Sequence, residues 1–113
     1  MPTVRAHPAA QALIDGPPGT YSAPTSASVG ATDTVVIAAN ANRIALIIVN
    51  DHATQIVYLA VGTTALINKG IRLNAAGGTV QFGGMGGLPL TQAGIQGIAT
   101  GAATVVTVQE VTA

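Results

Sequence analysis

Apolar residues in this chain come in short runs broken by Gly, Asn, Asp and Pro. The two strongest runs, Ile44–Val49 and Ile56–Val61, flank the polar link Asn50-Asp51-His52-Ala53-Thr54-Gln55. Both are rich in β-branched residues, which are stiff at χ1 and suit a pleated surface. The link has turn chemistry, so the pattern predicts a β-hairpin at the centre of a sheet. Ile44, Leu46 and Ile48 would share one face of its first strand, and Ala45, Ile47 and Val49 the other. In its second strand Val57, Leu59 and Val61 lie opposite Ile56, Tyr58 and Ala60. A strand with one wet face should alternate between apolar and polar, and neither does. The second face is therefore expected to be covered by a loop, by the N-terminal arm or by another subunit.

The remaining elements are shorter. Residues 25–32 form a polar lead-in suited to a sheet edge. Thr34–Ala38 is a strand with Val35 and Ile37 on one face, and Asn40-Ala41-Asn42 turns into the central pair of runs. Ala65–Asn68 is a weak element. Ile71–Leu73 and Thr79–Phe82 alternate, with Val80 and Phe82 inward. Glycines at 83, 84, 86 and 87 predict a mobile loop with Met85 at its tip, because glycine loses much backbone entropy on ordering. Ile95 and Ile98 are spaced by three, which predicts a bulge near Gly97. Ala103–Val111 closes the fold. About eight short strands, with turn signals every 8–12 residues, predict an all-β fold: one antiparallel, jelly-roll-like β-sandwich over residues 25–113. No fixed-period repeat is present.

Residues 1–24 read differently. Five of the six prolines lie there, and Asp15-Gly16-Pro17-Pro18-Gly19 is a strong break. A helical turn can form over Ala9–Ile14 after Pro8. The stretch is expected to be an extended arm, either loose or docked on a neighbouring subunit through Val4, Leu13, Ile14 and Tyr21. Arg5 is placed to pair with an acid on a partner.

Composition sharpens the picture. Charged residues make up 7% of the 113 positions, against about 25% in an ordinary soluble domain. Four basic and four acidic residues cancel, and a surface near zero charge favours association. The bases are scattered, which argues against nucleic acid as a partner. No apolar run is long enough to span a bilayer, and no secretory leader is expected at the N-terminus. Cysteine is absent, which removes disulfides, thiolate metal sites and thiol nucleophiles.

Candidate chemistry is sparse. His52 beside Asp51 is the one suggestive metal pair, but neighbours on an extended chain point apart, and a solvated turn accounts for both. Asp15, Asp33, Asp51 and Glu110 are not brought into a pair by any readable spacing. Ser22, Ser26 and Ser28 lack the context of a nucleophile elbow. The glycine loop lacks the Lys-Ser/Thr and helix of a phosphate-binding loop. No catalytic residue, cofactor or metal site is expected, and an enzyme is the weakest reading.

The run NRIALIIVNDHATQIVYLAVGTTAL, followed by GIRLNAAGGTVQF and ATVVTVQEV, resembles small structural proteins of tailed-bacteriophage heads. The positions that carry the resemblance are Asn42-Arg43, Asn50, Gly62, Gly70-Ile71-Arg72-Leu73 and Phe82, within residues 34–111. The resemblance implies a capsid decoration (cementing) protein: non-enzymatic, jelly-roll-like, a homotrimer bound to the major capsid protein on the outer surface of the mature virion head, which it stabilises. Head fibres, tail parts and receptor- or glycan-binding modules use similar sandwiches and form the alternative. Glycan binding uses aromatic faces, and aromatics are 3% of this chain. Val4, Arg5, Leu13, Ile14, Tyr21 and Met85 are the candidate partner-binding residues.

Overall fold

In the computed structural model, which describes residues 19–84 and 86–113, the apolar runs become nine strands. These are β1 Thr20–Tyr21, β2 Thr25–Val29, β3 Thr34–Ile37, β4 Arg43–Asn50, β5 Val57–Val61, β6 Ile71–Leu73, β7 Thr79–Phe82, β8 Ile95–Ala99 and β9 Thr104–Thr112. They pair antiparallel in two sheets. One has the order β2-β9-β4-β7, with β1 beside the far end of β9, and the other has the order β3-β8-β5-β6. From β2 onward every connection except β5–β6 crosses from one sheet to the other. That is jelly-roll connectivity, and it agrees with the expected fold class.

The core lies between the sheets. Leu46 and Ile48 of β4, Val106 and Val108 of β9, and Val80 and Phe82 of β7 meet Val57 and Leu59 of β5, Leu73 of β6 and Ile95 and Ala99 of β8. Each contributes alternate residues, as strands with one buried face should.

The expected central hairpin does not form. β4 and β5 belong to different sheets, and residues 51–56 carry the chain across the sandwich. The reason is Asn50, which is buried rather than part of a wet turn. Its Nδ2 donates to Gln55 O at 2.8 Å and to Leu73 O at 3.1 Å, and its Oδ1 accepts from His52 N at 3.0 Å. These bonds bend the chain off one sheet and anchor it beside the other.

Three further expectations change. On β3 it is Val36 that is buried, while Val35 is 60% exposed, because a register shift falls between Val35 and Ile37. No bulge falls at Gly97. Ile98 points outward opposite Tyr58, and Gly97 faces the core, where a Cβ would come within 2.9 Å of Val36 Cγ2. The odd spacing thus comes from a glycine at an inward position. Ala65–Asn68 is not a strand but part of the 62–70 loop.

That loop explains one of the doubly apolar strands. Tyr58 points away from the core yet is buried, and its hydroxyl donates to Asn68 Oδ1 at 2.9 Å. Asp33 Oδ1 accepts from Ala65 N at 2.8 Å and holds the loop down. The glycine turn is closed as well. Gly83 N donates to Leu88 O and Leu88 N to Gln81 O, both at 2.7 Å, so Leu88 occupies part of the outer edge of β7. Gly83 has φ 76°, and a Cβ there would meet Ile44 O at 2.5 Å.

The register of β4 can be tested with adjacent isoleucines. Ile48 is fully buried, whereas Ile47 is 39% exposed. Ile48→Ala is expected to cost about 2–5 kcal/mol, and Ile47→Thr to stay within about 0.5 kcal/mol of the parent. Urea midpoints at unchanged slope measure both. Equal losses would mean that β4 turns its other side to the core.

Candidate functional site

Among the described residues, no such loop lies over the second doubly apolar strand, β4. What fixes its orientation are polar groups buried at its two ends. At one end is Asn50. At the other, Arg43 is fully buried. Its Nε donates to Glu110 Oε2 of β9 at 2.8 Å. Its Nη1 donates to Ala93 O at 2.8 Å and Thr91 O at 3.3 Å, and its Nη2 to Ala38 O at 2.6 Å. Glu110 also accepts from Asn40 Nδ2 at 3.2 Å. A buried guanidinium is tolerable only when its donors are filled, and charge-assisted bonds to a carboxylate are the strong ones. The sequence reading treated Arg43 as one of several scattered bases. Asn-Arg before an apolar run was the signal that could have marked it.

With Leu46 and Ile48 committed to the core, Ala45, Ile47 and Val49 face outward. The register places them in rows, since partners across a ladder share a face. Tyr21, Val111 and Ala45 form the first row, and Gln109, Ile47 and Gln81 the second. Ser26, Thr107, Val49 and Thr79 form the third, and Ser28 and Val105 the last. No Asp, Glu, Lys or Arg stands in any row. Among the described residues the charges sit elsewhere: Arg43 and Glu110 inside, Asp33 and Asp51 in connections, Lys69 and Arg72 at the other sheet. The outcome is an uncharged face of aliphatic, Gln, Thr and Ser side chains with Tyr21, 73% exposed, at one end.

Two shallow depressions mark this face. One, of about 220 Å³, lies among Tyr21, Ala45, Ile47, Gln81, Gln109 and Val111. The other, of about 150 Å³, lies among Pro24, Ile47, Val49, Thr107 and Gln109. Ile47 and Gln109 form the ridge between them. Gln109 Nε2 donates to Ser22 O at 3.0 Å, which ties the β1–β2 segment to the rim.

Of the candidate partner-binding residues, the structure places Tyr21 on this face. Val4, Arg5, Leu13, Ile14 and Met85 lie outside the described residues. His52 has a structural role: its Nδ1 accepts from Thr54 N at 3.1 Å and Gln55 N at 3.0 Å, shaping the 51–56 crossing. Among the described residues no three His, Asp or Glu side chains converge as a metal site would require. The residues the sequence reading missed are Gln81, Thr107, Gln109 and Val111. They join the β4 stripe only because β7 and β9 flank it, which no local pattern encodes. The motif positions behind the phage-head resemblance turn out to hold the fold: Arg43 and Asn50 are buried polar anchors, Gly62 and Gly70 take φ of 68° and 82°, and Phe82 is core.

No family model, curated protein or solved structure matches this chain.

Replacing Arg43 by Met should cost about 3–5 kcal/mol, because Glu110 would keep its carboxylate without the buried partner. Arg43→Lys should recover only part, since an ammonium cannot span the four acceptors of a planar guanidinium. The double variant Arg43→Met with Glu110→Leu should be more stable than Arg43→Met alone, and chemical denaturation of the three proteins measures the coupling.

Proposed function

We propose that this protein is a non-enzymatic structural component of a phage virion, a decoration protein that binds the outer surface of the mature capsid and stabilises it. The observation that carries the reading is the uncharged outward face of β2-β9-β4-β7. An exposed apolar patch on a soluble chain marks a surface that leaves water in an assembly. Here the fold spends a whole sheet face on such a surface, with no charge to steer or repel a partner. Interleaved Gln, Thr and Ser can satisfy a partner's backbone groups without the desolvation cost of burying ions.

The partner is the major capsid protein, with the sheet face lying against the shell. Self-association, a trimer favoured, would set several such faces around one axis, as cyclic symmetry requires. A stable interface of ordinary size buries about 1,600 Å² in total. One small face is modest by that measure, and linked copies add avidity without new contacts. Arg5, in the arm, supplies a charged contact at the periphery. The phage-head resemblance and the jelly-roll connectivity support the same reading.

Mixing the purified protein with expanded shells that lack it, then sedimenting, tests the proposal. Co-sedimentation and higher shell heat resistance are expected. The variant Ile47→Glu with Val105→Glu should keep its urea midpoint within about 1 kcal/mol of the parent and fail to pellet with shells. Wild-type protein that stays in the supernatant, or a charged variant that binds unchanged, would overturn it.

A further inference from the structure

A sandwich of two open sheets leaves strand edges, and unpaired N–H and C=O groups along an edge are a template for another strand. Here the edges are β2 and β7 in one sheet and β3 and β6 in the other. Three of them are blunted. Leu88 occupies part of the β7 edge. β3 carries a register shift between Val35 and Ile37. β6 is three residues long with the charged Arg72 at its centre. β2 has none of these devices. It follows β9 in unbroken register from Thr25↔Val108 to Val29↔Thr104, and it contains no charge, proline or glycine. Among the described residues, the backbone groups of 25–29 bond to β9 alone.

The side chains of β2 also suit a copy of themselves. Ser26 and Ser28 are exposed, Ala27 is half-buried and Val29 is fully buried. Two β2 strands set antiparallel about a twofold axis at Ala27 bring Ala27 against Ala27, Ser26 against Ser28 and Thr25 against Val29. That is the one twofold register in which all five residues pair and Pro24, which cannot donate, stays outside the ladder. Partners across a ladder share a face. The small Ala27 side chains leave room at the axis. The serine hydroxyls can bond across it on the outer side, and the Thr25 methyl lies beside Val29 on the inner side. A charged strand paired in this way would meet its own charges, and β2 has none.

We infer that two copies of this chain join edge to edge through β2, main chain to main chain. The β2-β9-β4-β7 sheet of one copy continues into that of its partner, and the two uncharged outward faces become one of twice the width. Strand addition of this kind draws its affinity from backbone hydrogen bonds. The contact is isologous and closes at two copies, so a trimer would be held by other surfaces. It does not cover the outward face, and it does not rest on the attachment proposed for that face.

The chain has no cysteine, so introduced thiols report cleanly. Opposed residues of an antiparallel pair have Cα atoms about 4.5–5.5 Å apart, within reach of a disulfide. In free full-length protein under mild oxidation, Ala27→Cys is expected to give two-chain disulfide at least about tenfold faster than Thr64→Cys, because thiols held together at an interface act at high effective concentration. Thr64 is exposed in the 62–70 loop on the other sheet. Ser26→Cys mixed with Ser28→Cys should cross-link faster than either variant alone. Adding Ser26→Lys and Ser28→Lys to Ala27→Cys should remove its advantage while the urea midpoint stays near that of the parent. Equal rates at 27 and 64, a mixed pair no faster than its separate members, or an advantage that survives in the folded lysine variant would overturn the inference. No shell is present, so the outcome is independent of whether the protein binds one.

Discussion

The fold hangs on the Arg43 guanidinium. It lies inside the sandwich, where an unpaired charge would cost several kcal/mol, and it is tolerated because a carboxylate from β9 and three carbonyls from the 38 and 91–93 segments surround it. Those acceptors belong to β9 of one sheet and to the β3–β4 and β7–β8 connections that join the two sheets. A single planar group therefore sets the entry of β4, the position of β9 and the closure of one end of the sandwich. Asn50 performs the matching task at the other end, bonding to Gln55 and Leu73 across the gap. Polar groups at both ends and apolar groups between them give β4 one permitted register.

Once that register is set, the remaining surface follows. β4 and β5 are both apolar on two sides, but they solve the excess differently. β5 receives a cover from its own chain: Tyr58 is bonded to Asn68, and Asp33 ties the same loop. β4 receives no such cover from the described residues. Its outer side chains join those of β9 and β7 into one face, and every charge among the described residues is placed elsewhere. The near-absence of charge in the composition is thus concentrated in a particular place.

A face of this kind would give any partner little electrostatic guidance. Long-range steering by it is weak, and what it offers instead is shape and Gln and Thr donors and acceptors. A sheet face is also rigid, which limits the ordering cost on binding.

By itself the chain determined its fold class and most of its strands. β-branched runs at short intervals, with Gly, Asn and Pro between them, allow little else, and alternation placed Val80 and Phe82 inward before any coordinates. It also determined that some apolar surface would be left over, because two runs had no polar side. Which strands pair was decided only in three dimensions. An Asn-Asp-His link between apolar runs looks the same whether it closes a hairpin or crosses a sandwich, and the difference lies in where the Asn50 amide finds its partners. Val35 was misplaced by strict alternation, and Ile98 by the bulge expected near Gly97, for a related reason: a register shift on β3 and a core-facing glycine on β8 are answers to packing against neighbours. The uncharged face belongs to the same category. Its β4 stripe was readable as a local pattern, whereas Gln81, Thr107, Gln109 and Val111 joined it through ladder pairing between segments far apart in the chain.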